Sequence, residues 1–144
     1  MLLFTTGNVI QLLQDAKVGI PEATFDKWCR DGLLEPLSGG TGSGSHRQWS
    51  LTQVVGILVA SQILHSEQSC ATSFIGKTVA AFGSVSEDWL TGKFREGERH
   101  YVMTHYGKPL FGGDPRYGHP NVEAAYKRVL KLVASRRRNS KAKA

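Results

Sequence analysis

The sequence predicts a mainly α fold with a small β component, and three observations carry that prediction. Apolar residues recur at three- and four-residue spacing through most of the chain. Residues suited to capping helices stand just ahead of those runs. Extended, β-rich stretches are short, lying beside a glycine-rich segment near residue 40 and around Gly107. At 144 residues and 40% apolar content, the chain has material for one core, or for one small module with a compact appendage.

The elements follow in order. In TTGNVIQLLQDA, Thr6 is the expected N-cap, and Val9, Ile10, Leu12 and Leu13 fall at helical spacing. Lys17, Val18 and Gly19 form a tight break, with Gly19 suited to a positive φ. Pro21 then opens a second helix, PEATFDKWCRD, where its missing N–H costs nothing. Gly32 is its expected C-cap, and Phe25, Trp28 and Cys29 make one buried stripe. Leu33–Leu37 reads as a short extended piece, SGGTGSGS as a loop and HRQW as a returning strand, so two strands flank a mobile tip. Ser50 caps a third helix and Gln53 completes a capping box. Leu51, Val54, Val55, Ile57, Leu58, Ile63 and Leu64 make that helix apolar enough to be buried on most sides.

The second half predicts a helix over Ala71–Phe82 and a short one begun by Ser86 and carrying Trp89 and Leu90. RHYVMTHYGKPLF reads as a hairpin broken at Gly107-Lys108, with one strand shortened by Pro109. GGDPRYGHPN is a loop, and Asn121 caps a last helix. On that helix Val122, Ala125, Val129 and Leu132 form an a/d seam, a candidate dimer contact. RRRNSKAKA has no apolar side chains to place in a core and is expected to be disordered until something acidic orders it.

Helix, turn, helix, Gly-Leu-Leu, glycine-rich loop, Arg-x-aromatic and Ser-capped helix is the order of a winged helix-turn-helix. Here the chain resembles the MerR family of transcription regulators and related excisionase-type modules. GIPEATFDKWCRDGLLEP is similar to the family's second helix and its exit, with Thr24, Phe25, Trp28, Gly32, Leu33 and Leu34 at matching spacing. HRQWSLTQV is similar to the wing strand running into the next helix, through Arg47, Trp49, Ser50 and Val54. The resemblance implies a winged helix-turn-helix over residues 1–66, followed by a small α+β segment over 67–135 for dimerisation or partner binding. Residues 136–144 are left as a basic tail. It also implies double-stranded DNA as partner, transcription regulation as role and a homodimer as the working form. Asp26 and Lys27 stand where typical members carry Arg and an aromatic, so contacts at those positions are not carried over. Asp26 is read as a solvated residue or an intramolecular partner.

In this reading a second helix presents its N-terminal half to the major groove, and a glycine-rich tip lies against the backbone or minor groove. The candidate DNA-contacting residues begin with Thr6, Pro21 and Glu22 at the helix starts, and with Thr24, Lys27 and Arg30 on the second helix. On the wing they are Thr41, Ser43, Ser45 and His46, with Arg47 as phosphate clamp at its base; in the tail they are Arg136, Arg137 and Arg138. The charge distribution qualifies the picture. Eight of the 18 Lys and Arg residues, and none of the 12 acids, lie in 127–144, so the remaining residues carry ten bases against 12 acids, a net −2. Long-range attraction to DNA must therefore come from the tail, a second copy or a partner.

Other chemistries find little support. The five histidines have no nucleophile or acid partner at useful spacing, and Cys29 and Cys70 are neither paired nor close. No catalytic residue, cofactor or metal site is expected, and the chain is not read as an enzyme. GGTGSGS is followed by no Lys-Ser or Lys-Thr, which argues against a phosphate-binding loop. The N-terminus lacks a basic and apolar leader and no stretch of about 18 apolar residues occurs, so a bacterial cytoplasmic protein with no membrane partner is expected. The alternatives kept open are a DNA-binding antitoxin whose residues 67–135 hold a protein partner, and an excisionase-like architectural protein.

Overall fold

A computed structural model describes residues 2–39, 46–66 and 72–143, with side chains as far as Asn139. Its first half contains β1 (Leu3–Thr5), α1 (Thr6–Asp15), α2 (Glu22–Arg30), β2 (Gln48–Ser50) and α3 (Leu51–His65). Its second half contains α4 (Ser73–Gly83), α5 (Glu87–Arg95), β3 (Tyr101–His105), β4 (Lys108–Phe111) and α6 (Val122–Lys143). The class is mainly α with a small amount of β, as the sequence predicts.

β1 has no counterpart in the sequence reading. It pairs antiparallel with β2, Leu3 opposite Ser50 and Thr5 opposite Gln48. The piece expected to be the partner strand, Leu33–Leu37, contributes only its end: the Leu37 N–H donates to the Gln48 carbonyl, and Ser38 bridges Gln48. The N-cap of α1 is Thr5 rather than Thr6. Thr5 Oγ1 accepts from the Asn8 N–H at 3.1 Å, while Asn8 Oδ1 accepts from the Thr5 N–H at 3.0 Å. In the following turn Lys17, not Gly19, takes the left-handed conformation, with φ 61°. Pro21 stands one residue ahead of α2 as its N-cap.

Helix α2 closes in a Schellman motif. Gly32 has φ 78°, its N–H donates to Cys29 O, and the Leu33 N–H reaches Trp28 O at 2.9 Å. Ser50 and Gln53 form the expected capping box on α3, and Ser86 and Asn121 cap α5 and α6 through their side chains. Tyr106 (φ 51°) and Gly107 (φ 75°) make a two-residue turn between β3 and β4 of the kind that suits the strand twist.

Helix α3 is the axis of the molecule, with Leu51–Ser61 buried apart from Gln53. Helix α4 lies tightly on it: a Cβ on Gly56 would come within 2.8 Å of the Phe82 side chain and 3.2 Å of Val79 Cα. Helix α6 packs on α3 and reaches β1 and α1 through its side chains, Arg128 meeting Asp15 O and Arg136 meeting Leu3 O and Asn8. Side chains from β1 through α6 form one continuous core that includes Phe4, Phe25, Trp49, Phe82, Tyr101 and Val129.

Two expectations about α6 are corrected. Val122, Ala125 and Val129 are sealed inside this core and Leu132 packs against it, so the a/d seam is used within the chain and is not a dimer contact. The helix also runs on through Lys143 instead of breaking into a disordered tail. Arg, Lys and Ala are good helix formers, and Arg136 has docking partners on β1 and α1.

Candidate nucleic-acid interface

Helix α2 turns Phe25 and Cys29 inward, where Phe25 meets Trp49 edge-to-face at 5.5 Å between ring centroids. At 100° per residue, Asp26, Arg30, Ala23 and Lys27 fall within about 100° of one another on the opposite side. Lys27 and Arg30 are exposed there, as are Pro21, Glu22 and Ala23 at the N-terminal end; Thr24 is half-buried at the flank. This face is charged and open, as the sequence predicts.

Arg47 does not lie on that surface. Its side chain is 0% exposed and its Nη1 donates to Asp26 Oδ1 at 2.8 Å, so it is not the phosphate clamp expected at the wing base. The physical reason is the strand alternation: Arg47 and Trp49 face the core and Gln48 faces out. Such a buried cation needs a counter-charge, and Asp26 supplies it. The other carboxylate oxygen, Oδ2, holds Arg30 Nε at 3.0 Å. Asp26 is thus the intramolecular partner that the sequence reading allowed. The Arg47 guanidinium, then Arg30, hold its carboxyl below the usual carboxylate range. Burial pushes the neighbouring Cys29 thiol up, which makes it an inert packing group.

Thr6 is likewise internal. Its hydroxyl accepts from Trp49 Nε1–H at 3.2 Å, so it locks α1 to β2 and is withdrawn from solvent. His46 is exposed just ahead of β2, while Thr41, Ser43 and Ser45 lie outside the described residues. At the far end of the chain, Arg136 is half-buried, with its guanidinium 5.0 Å from the Phe4 ring centroid. Arg137 and Arg138 are exposed. Arg128, Lys131, Ser135 and Arg138 follow one another at three- and four-residue spacing, a basic stripe whose first three members line a 370 Å³ cleft against Gln11 and Asp15 of α1.

Apart from His46, exposed on its own ahead of β2, the described site residues divide into three groups. Pro21, Glu22, Lys27 and Arg30 share one outer surface with Thr24 at its margin; Thr6 and Arg47 belong to the scaffold behind it; the arginines of α6 sit at the end of a helix docked on β1. That Arg47 is the partner of Asp26, and that Arg136 docks on β1 and α1, were missed. The alternation of Arg47, Gln48 and Trp49 signals the first, and nothing local signals the second. Among the described residues no cluster of His, Cys, Asp and Glu is arranged to hold a metal ion, and no helix is long and apolar enough to cross a membrane. No family model matches the chain, and neither a curated protein nor a solved structure shows detectable similarity to it.

Proposed function

We propose that the chain is a sequence-selective double-stranded DNA-binding protein of winged helix-turn-helix design, acting as a dimeric transcription regulator. The observation that carries the reading is α2 itself. It is a nine-residue helix set after a tight turn, with its aromatic side sealed against Trp49 and its outer side presenting Lys27 and Arg30. A helix of this size fits the major groove of B-form DNA. The pairing of Ser38 with Gln48 brings the two ends of the glycine-rich segment together near the β1–β2 sheet, which suits a wing that touches the backbone. Arg137 and Arg138 supply exposed positive charge that the first half of the chain lacks, with four basic residues against five acidic in residues 1–65.

Selection from a random pool of duplexes with the purified protein tests this reading. Enrichment of one motif supports it, and symmetric repetition of that motif supports the dimer. Recovery of the input distribution at all salt concentrations would refute it.

A second reading, a protein partner bound by residues 67–135, draws on the β3–β4 hairpin. Met103 and Leu110 are exposed on it, and Tyr106 at its turn is 92% exposed in a left-handed conformation that bulky residues rarely adopt. With the α6 seam consumed by the core, this hairpin is also the surface we assign to the homodimer. Sedimentation of Leu110→Lys against the parent chain tests it: a shift from dimer to monomer supports the assignment, and an unchanged dimer removes it.

A further inference from the structure

We infer that Asp26 is a positioning residue that presents the terminal Nη1 and Nη2 edge of Arg30 to a guanine in the major groove, an inference that rests on the DNA-binding reading above. Arg30 is the last residue of α2, where a side chain would ordinarily lie away from the part of a reading helix that enters the groove. Its ion pair changes that. Arg30 Nε is held 3.0 Å from Asp26 Oδ2, one turn back, so the guanidinium is drawn toward the N-terminal half of the helix. Nε is the guanidinium nitrogen paired with Asp26; neither terminal nitrogen makes a hydrogen bond among the described residues, and the side chain is 62% exposed.

Asp26 is not free to swing, because its second oxygen is held at 2.8 Å by Arg47, which is fixed within the protein. The chain Arg47–Asp26–Arg30 therefore fixes a flexible cation from the core outward. Guanine is the base that matches what is offered, since its N7 and O6 accept two parallel N–H donors from one guanidinium. Holding Nε in advance reduces the side-chain entropy lost on binding. The same chain explains how an acid is tolerated on a face meant for DNA: one carboxylate lies between two guanidinium groups, so the trio is net positive. Lys27 is the weaker candidate for this role. Its Nζ leans the other way, toward Asp31 at 3.5 Å.

The test is a competition assay on a duplex recovered from the random pool, with each guanine replaced in turn by 7-deazaguanine. The parent protein is expected to lose about 5- to 150-fold in affinity at one guanine per half-site. Arg30→Met, which leaves the Arg47–Asp26 pair in place, is expected to abolish that penalty, because a thioether has no N–H to offer N7 or O6. Asp26→Asn is expected to reduce the penalty at the same guanine and at no other base, a change that a purely structural role would not confine to one position. If the parent selects a motif but Arg30→Met keeps the same guanine penalty, the inference is wrong and the DNA reading stands. If no 7-deazaguanine replacement weakens the parent, the inference is likewise wrong. If no duplex is selected at all, the DNA reading itself fails and the inference falls with it.

Discussion

At the scale of single residues, the fate of Arg47 decides how the N-terminal region is understood. A phosphate-binding arginine could be removed with little effect on folding, whereas one buried beside Asp26 holds the sheet to α2. Arg47→Ala is therefore expected to lower unfolding stability by roughly 1–3 kcal/mol, because its packed stem is lost and the Asp26 carboxylate loses its main partner. Chemical denaturation checks this, and unchanged stability would return Arg47 to the surface. Asp26 gives the matching pH dependence. Its carboxyl is held below the ordinary value near about 3.9, so its ion pairs stabilise the fold fully above that pH and are lost as the pH falls below it. The stability difference between the parent chain and Asp26→Asn is expected to be constant from neutral pH down to about pH 5 and to shrink below about pH 4. A difference that grows on acidification contradicts the assignment. Arg47 was visible in the sequence as part of a motif, and its inward direction is legible only through strand alternation with Trp49, whose ring belongs to the core.

At the scale of elements, legibility followed the cause of each structure. Helices α3, α5 and α6 begin where Ser50, Ser86 and Asn121 predict, because capping is a local interaction written within four residues. The hairpin at Tyr106-Gly107 is local in the same way. Strand β1 was not legible: three residues carry no periodicity, and they are extended only because β2, more than forty positions later, pairs with them. The close contact of α3 with α4 is another long-range effect, and Gly56 is its sensitive point. Gly56→Ala places a methyl group 2.8 Å from the Phe82 side chain and 3.2 Å from Val79 Cα, where the backbone cannot yield easily. Despite the better helix propensity of alanine, the variant is expected to lose about 1–3 kcal/mol, measured by thermal or denaturant unfolding. A gain in stability would show that the helices are less closely packed than described.

For the molecule as a whole, the sequence suggested a reading head, an appendage and a loose basic tail, and the structure joins them through one core and one long helix. Helix α6 carries the basic residues past β1 on a docked support, with Arg136 tied to Leu3 and Asn8. This joins tail and head more firmly than charge arithmetic alone could indicate, since packing between residues over one hundred positions apart leaves no local pattern. If the protein binds DNA, the Arg137→Gln/Arg138→Gln double variant is expected to flatten the salt dependence of binding by up to roughly 0.9 per engaged charge per chain, with sequence preference retained. An unchanged slope would leave those arginines solvated and move the attraction to a second copy or a partner. The central claim, that α2 reads DNA, is met most directly by backbone amide chemical-shift mapping of the protein on a selected duplex. The account predicts the largest changes at Glu22–Arg30, with smaller ones at Ser38, His46 and Arg137–Arg138, and little change at Tyr101–Phe111. Changes confined to the β3–β4 hairpin, or none at saturating duplex, would contradict it.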